Sequence, residues 1–555
     1  MKKFLRSTLA LTLLLAGAAV ARAQAAKPVL VISIPSYNDI LANVDFLGKL
    51  AGQPAAAQQM DQMVGLFAQG LKGLDRTRPI GVVVSSEGSD FTPLAFVPTT
   101  NLKDLMQCLP QLAAQEDAGG FKVMSPAGEA FIREQNGWAF ISQSKDAAVP
   151  ADPMQWLGGL KPEYDFALRI YLQNVPADKK KSGIDLFKMF MDQAAAMQRQ
   201  QGGDNPLAAL SQKNMQEQVK AIERLLNEAD QLTIGWKLDR QAKNTHLDFT
   251  VTAVPGSELA QEIKQAGDAK TNFAGFLMPD AAATLSFCGR SSPDSIAQAK
   301  ATLEQIRARA ELQIDNDANL PDDKTRAAVK DVLKQLLDVA QKTVETGKSD
   351  GGGVLLLGPN KFQAAVGGFI ADGPALESAV KKLIDMAKAE KEFQQLATVK
   401  LDLDTYKEVR FHQVSVKLPP EADENCRKVF GDMVDIYIGA GKESVYIGLG
   451  KGSLDLVKSV IDQSAAQANK PVPPVQLAIA MGPIFDFASS MDPGNPQLSE
   501  IAKAITNMKG KDRVLMNGKM IPNGVTYRLE LEEGVLNVIG AAIQSSMHRM
   551  GPGPG

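Results

Sequence analysis

Histidine and cysteine are nearly absent from this chain, with three of each in 555 residues. Cys108, Cys288 and Cys426 are too sparse for a disulfide scaffold, and an odd number leaves at least one thiol free or paired between chains. No CxxC pair and no neighbouring histidine supports redox chemistry, so buried or incidental thiols are the expectation. A bias of charge is missing too. With 60 basic against 63 acidic side chains, there is no basic stripe to neutralise phosphates, which excludes nucleic acid as a partner. Beyond the first residues there is also no uncharged apolar run of the ~20 residues that a membrane span needs. The nearest, "VLNVIGAAIQSSM", is interrupted by Asn537, Gln544 and two serines.

What is present begins with "MKKFLRSTLALTLLLAGAAVARAQA". Lys2, Lys3 and Arg6 precede an apolar run from Leu9 to Val20, and Ala21-Arg22-Ala23 offers the small-x-small cleavage pattern. This is the layout of a secretory signal peptide over residues 1–23, and the mature chain is expected to be soluble in the periplasm or outside the cell. No cysteine follows the cleavage site to carry a lipid.

The mature chain repeats itself. "GVVVSSEGSDFTPLAFVPTTNLKDLM", from Gly81, reads strand, turn, strand, helix, with Thr100 or Asn101 as the cap. "GVLLLGPNKFQAAVGGFIADGPALESAV", from Gly353, has the same order. A hairpin follows in each copy, turning at Asn136-Gly137 in one and over Gly439 to Glu443 in the other; Asn-Gly suits the type I′ turn because both central residues need positive φ. Ser144 and Ser453 then stand where a serine caps a helix. Single strands "YDFALRIYL" and "VQLAIAMG" and long hairpins from Asp230 and Asp512 complete the match. The opening elements agree as well, with Ser36 and Ser292-Pro293 starting helices.

These patterns predict an α+β fold, built as two tandem copies of a mostly antiparallel sheet with helices packed on one face. The copies span 24–268 and 269–548, with the boundary in "QAGDAKTNF", and 549–555 form a flexible Gly/Pro tail. The first copy carries a helical insertion over about 184–228 in which Ile184, Phe187, Met191 and Ala194 recur at helical spacing. Two roles suit it: an amphipathic helix pair closing over its own sheet, or a Met-rich adaptable surface for an apolar ligand or partner.

The search for chemistry yields no catalytic, cofactor-binding or metal residue. "YIGAGKESVYIGLGKGS", from Tyr437, has the glycines of a phosphate loop, but Ile436 and Glu443, and Val445 and Gly452, occupy positions where Walker A needs glycine and a hydroxyl. Its period-two alternation marks paired strands instead. In "NTHLDFTV", His246, Asp248 and Thr250 share one strand face; the matching face of the second copy has Arg528 and Glu530, which reads as a solvated face. His412 and His548 lack ligand-spaced neighbours. Asp315, Asn316, Asp317 and Asn319 lack the Gly and Glu of a calcium loop and read as a loop before a capped helix, so calcium there is adventitious at most.

The order of "NGWAFISQSKDA", "KPEYDFALRIYLQNVP", "DQLTIGWKLDRQAKNTHLDFTVTAVPGS" and "FAGFLMPDAAATLS" resembles a family of large exported bacterial proteins that carry no assigned activity. The resemblance covers nearly the whole mature chain, implies export and a shared architecture, and lends no site residues. The expected function is therefore a non-enzymatic binding or structural protein of the cell envelope, with an unknown protein or apolar ligand as partner. A carrier holding an apolar ligand between sheet and helices is the first alternative, and a hydrolase of unfamiliar type the second.

Overall fold

A computed structural model of the chain describes residues 27–549, apart from 89, 118, 126–127, 203–206, 269, 318–319, 321, 469–471, 507 and 509. The expected signal peptide and nearly all of the tail lie outside the described residues. Strands and helices mix throughout, and no helix among the described residues is long and apolar enough to cross a membrane.

Contacts divide the chain into two compact units. The first takes the described residues up to Gly183, Ala229–Val254, and those from Thr526 on. Its strands are β1 (Lys27–Ile34), β2 (Ile80–Glu87), β3 (Asp90–Pro98), β4 (Gln115–Asp117), β5 (Gly120–Ser125), β6 (Gly128–Gln135), β7 (Trp138–Ser142), β8 (Phe166–Tyr171), β9 (Ala229–Asp239) and β10 (Asn244–Ala253). They run antiparallel in the order β10, β9, β8, β1, β2, β3, β7, β6, β5, β4.

The second unit takes 184–228 and 255–525. It holds β11 (Ala283–Arg290), β12 (Lys348–Gly358), β13 (Lys361–Phe369), β14 (Ala397–Tyr406), β15 (Val409–Lys417), β16 (Met433–Ala440), β17 (Ser444–Leu449), β18 (Val475–Ala480) and β19 (Arg513–Ile521). Their antiparallel order is β19, β18, β11, β12, β13, β17, β16, β15, β14. A last strand, β20 (Gly524–Leu531), lies beside β10.

Within the first unit the main core gathers Val31, Val83, Phe96, Trp138, Phe140 and Leu160 on one face of the sheet. Phe96 meets Trp138 edge to face at 5.5 Å, the arrangement aromatic quadrupoles favour. Gly81 makes this possible, because a Cβ there would stand 2.0 Å from the Phe96 ring. In the second unit, Phe411, Val354, Ala365 and Tyr446 pack against Val457, Val460 and Ile461 of the helix Ser453–Ala466. Each such fully buried side chain contributes roughly 1.5–3 kcal/mol of transfer free energy.

Helices do not stay on one face. Phe411 and His412 are neighbours on β15 and point to opposite sides, yet neither exposes any surface. Phe411 meets the helix Ser453–Ala466, while His412 lies 3.4 Å from Glu377 of the helix Gly373–Ala389. The first unit repeats this at its far end, where Leu102 and Met106 of the helix Leu102–Gln107 cover Ile132 and Ala139. Strands β15 and β7 are therefore covered on both faces, Phe411 and His412 in one and Ala139 and Phe140 in the other being buried.

Local signals decide several helix starts. Ser36 accepts from the Asp39 amide at 3.1 Å, Asn101 from Asp104 at 3.0 Å, and Ser292 from Ser295 at 3.0 Å ahead of Pro293, each satisfying an orphan amide. The expected caps at Ser144 and Ser453 differ. No helix begins at Ser144, and Gly452, at φ 78°, is the cap before Ser453, whose hydroxyl is buried.

The insertion forms two helices, Ala177–Gly202 and Leu207–Glu228, and 203–206, where the sequence breaks, lie outside the described residues. Leu207–Glu228 packs within the second unit. Arg224 contacts Glu262 at 2.7 Å and Asp294 at 3.1 Å. Ile184, Phe187 and Met191 are half-buried, but Leu186, Met189 and Phe190 on the other side of the helix are exposed.

Candidate functional site

The glycine-rich stretch from Tyr437 is the hairpin β16–β17. Gly439 pairs with Tyr446 inside the ladder, so the turn is tighter than expected and spans only 441–443. Its carbonyls are already in use: the Ile370 amide donates to Glu443 at 3.3 Å and the Gly373 amide to Lys442 at 3.0 Å. A phosphate cradle needs amides pointing inward. Here the helix N-terminus receives carbonyl oxygens instead.

The face shared by His246, Asp248 and Thr250 is covered at Asp248 and half-buried at the other two. Asp248 is 2% exposed, while Leu247 and Phe249 on the opposite face are each 43% exposed. The carboxylate accepts two hydrogen bonds from Arg528 of β20, both 2.8 Å, and one from the Tyr164 hydroxyl at 3.0 Å. Burial first, and the adjacent Asp248 charge second, push the Tyr164 phenol well above its usual range. That makes it a hydrogen-bond donor rather than a nucleophile. His246 is held below its ordinary pKa by burial and then by the Arg528 charge. The group is an ion pair with a buried carboxylate that fixes β10 beside β20, since a charge taken out of water must be paired.

Among the described residues one group gathers a histidine with carboxylates: Glu377, Asp402 and His412, their ligand atoms within 4.8 Å of one another. Three elements assemble it. His412 comes from β15, Glu377 from the helix Gly373–Ala389, and Asp402 from a bulge in β14, where 401–403 face His412 alone. Asp402 adopts φ 50° there, which costs a non-glycine residue about 1 kcal/mol.

The donor chemistry of this cluster does not suit a cation. The Asp402 amide donates to His412 Nδ1 at 3.0 Å, so Nδ1 keeps its lone pair and Nε2 carries the ring proton. In metal sites the non-ligating nitrogen is a donor, the reverse of this arrangement. Lys381 also sits between the two carboxylates, 2.8 Å from Glu377 and 3.0 Å from Asp402, and Arg410 lies 2.9 Å from Glu377. Two built-in cations thus balance two carboxylates. Burial, followed by the Lys381 charge, holds His412 below its ordinary pKa, against the pull of Glu377 and Asp402.

The remaining candidates disperse. Asp315 pairs with Lys330 at 2.6 Å, and Asn319 of the acidic loop lies outside the described residues. All three cysteines are free, Cys108 and Cys288 buried and Cys426 exposed. Burial and the neighbouring Asp350 raise the Cys288 thiol pKa, which suppresses the reactive thiolate. A cleft beside β4 is lined by Asn101, Lys103, Glu116 and Glu134, but these groups satisfy one another or the backbone: Lys103 meets Glu116 at 3.0 Å and Glu134 accepts the Leu102 amide.

What does organise the sheet is a row of cross-strand partners. In the second unit, Leu285, Gly353, Val366, Ile447, Ile438 and His412 stand opposite one another in turn across six strands. The row starts in the open, with Leu285 38%, Val366 50% and Ile447 42% exposed, and ends at fully buried His412. In the first unit, Phe249, Ile234, Leu168, Ile32, Val82 and Ala95 stand opposite one another in turn. This row too runs from open (Phe249 43%, Ile234 41%) to buried (Val82 5%, Ala95 4%). The alternation in the sequence could not reveal this face, because both faces of these strands are rich in apolar residues.

No family model, no curated protein and no solved structure matches the chain.

Proposed function

We propose that the chain is an exported, non-enzymatic binding protein of the cell envelope that takes an apolar ligand or partner surface on the uncovered face of its sheet. One observation carries the reading. Phe166, Ile234, Leu247, Phe249 and Leu529 are all about two-fifths exposed on the same face of the first unit. A contiguous apolar patch on a soluble chain marks a binding surface. An apolar carrier is the form of binding this face favours, since its backbone groups are spent in the ladder and its side chains offer only hydrocarbon and aromatic surface.

The reading includes a tandem origin for the two units. Its support is the shared strand order, β9, β8, β1, β2, β3, β7, β6, β5, β4 in one and β19, β18, β11, β12, β13, β17, β16, β15, β14 in the other. Each also places a glycine of its second strand opposite a fully buried serine of its first, Gly81 opposite Ser33 and Gly352 opposite Ser286.

The test is direct. Purified chain is extracted with organic solvent for lipid analysis by mass spectrometry, and titrated with an apolar fluorophore. Co-purifying lipid or saturable fluorophore binding is expected. Absence of both sinks the apolar reading, and hydrolytic activity abolished by one serine or carboxylate substitution overturns the non-enzymatic one.

A further inference from the structure

We infer that His412 and the Asp402 bulge form a proton-operated switch that loosens the edge strand β14 when the medium turns acidic. The geometry leaves a proton only one place to go. Nε2 already carries hydrogen, so protonation must occur at Nδ1, which is the atom that accepts the Asp402 amide at 3.0 Å. Two donors then face each other beside a fully buried ring, and one has to leave.

The ring cannot leave, because His412 is fixed in β15 between Phe411 and Gln413 and pairs with Ile438 of β16. The bulge can. Asp402 is already in the left-handed region at φ 50°, and the ladder is interrupted from Lys400 to Asp404. β14 is the last strand of its row, paired to β15 alone among the described residues. The Asp402 carboxylate, 4.0 Å from Nδ1, is an acceptor within reach of the new N–H.

Moving toward it turns the amide away and takes the carboxylate from Lys381, which holds it at 3.0 and 3.3 Å. The charged groups that face the ring are Glu377 and Lys381 from the helix, Asp402 from β14 and Arg410 from β15; Ile438 on β16 adds none. Their charges cancel, two against two. A further positive charge on the ring is therefore what redistributes the pairs.

Hydrogen exchange of peptides spanning 397–406 tests this in the full chain, at pH 7.5 and pH 5, after correction for intrinsic rates. Exchange about tenfold faster at pH 5 is expected, the size of a modest local-opening shift. His412→Asn is the control: its amide oxygen accepts the Asp402 N–H from the Nδ1 position and does not titrate, so its exchange stays flat. No acceleration in the unmodified chain, or equal acceleration in His412→Asn, overturns the switch.

Nitrogen NMR of the three histidines in the unmodified chain keeps the question decidable if the variant fails to fold. A neutral Nε2–H ring at pH 7.5 that titrates together with the exchange of 397–406 supports the switch. An Nδ1–H ring, or titration without altered exchange, refutes it.

Discussion

Arg528 of β20 holds Asp248 of β10 with two hydrogen bonds of 2.8 Å, Nε to one carboxylate oxygen and a terminal nitrogen to the other. The pair is lopsided: the carboxylate side chain is 2% exposed and the guanidinium 44%. Breaking such a pair costs more than the pair contributes, because a buried charge is left behind. Arg528→Ala should destabilise the chain by about 3 kcal/mol, discounted from a fully buried pair for the exposed arginine. Asp248→Asn keeps an acceptor for Tyr164 and should cost roughly half as much. Urea unfolding of the two variants checks the order; equal small effects would remove the ion pair from the list of stabilising features.

Two glycines predict opposite signs for the same substitution. At Gly81 an added Cβ meets the Phe96 ring at 2.0 Å, and Phe96 has no exposed surface into which to retreat. Gly81→Ala should cost about 2–3 kcal/mol by overpacking. Gly183 sits inside the helix Ala177–Gly202 with nothing within 4 Å of its would-be Cβ. Gly183→Ala should stabilise by up to about 1 kcal/mol through helix propensity. Thermal unfolding of both variants reads the signs.

The buried histidines make stability depend on pH in a definite direction. His412 and His246 are both held below the ordinary value of 6.5. As pH falls through about 6.5, the unfolded chain takes protons that the folded chain refuses, so the folded state loses stability. The loss ends once pH is below the folded pKa values, where both states are protonated. Urea midpoints measured between pH 7.5 and 5 should fall, and His412→Asn should flatten part of the slope while leaving the part due to His246. A slope unchanged by the substitution would place His412 in a solvated setting.

Much of this architecture is legible in the sequence where local chemistry is strict. Asn136-Gly137 turns β6 into β7 with φ 52° and 73°, as an I′ turn requires, and the caps at Ser36, Asn101 and Ser292 follow from their spacing. The hairpin β14–β15 hides its turn, because Lys407 and Glu408 adopt φ 46° and 64° with neither Asn nor Gly to announce them. The polar face around Asp248 misleads for a different reason: alternation tells which residues share a face, not which face is covered, and here the charged face holds the buried Asp248 while Leu247 and Phe249 stand in the open. The His412 cluster joins residues from three elements, with Glu377 35 positions from its histidine, beyond the reach of any ligand-spacing rule.

Leu247 and Phe249 separate binding from folding. Each is 43% exposed, so each gives up only part of the transfer free energy of a core side chain, and on a strand their polar replacements keep the ladder intact. Thr fits the strand and removes most of the apolar area. Leu247→Thr with Phe249→Thr should lower stability by no more than about 1–2 kcal/mol, against about 3–5 kcal/mol for Phe96→Ala in the core. The same double substitution should abolish most fluorophore binding, since it clears the centre of the face that Ile234 and Phe166 flank. Stability lost on the scale of Phe96→Ala would show that the face is covered in solution, and binding retained in full would move the ligand elsewhere on the chain.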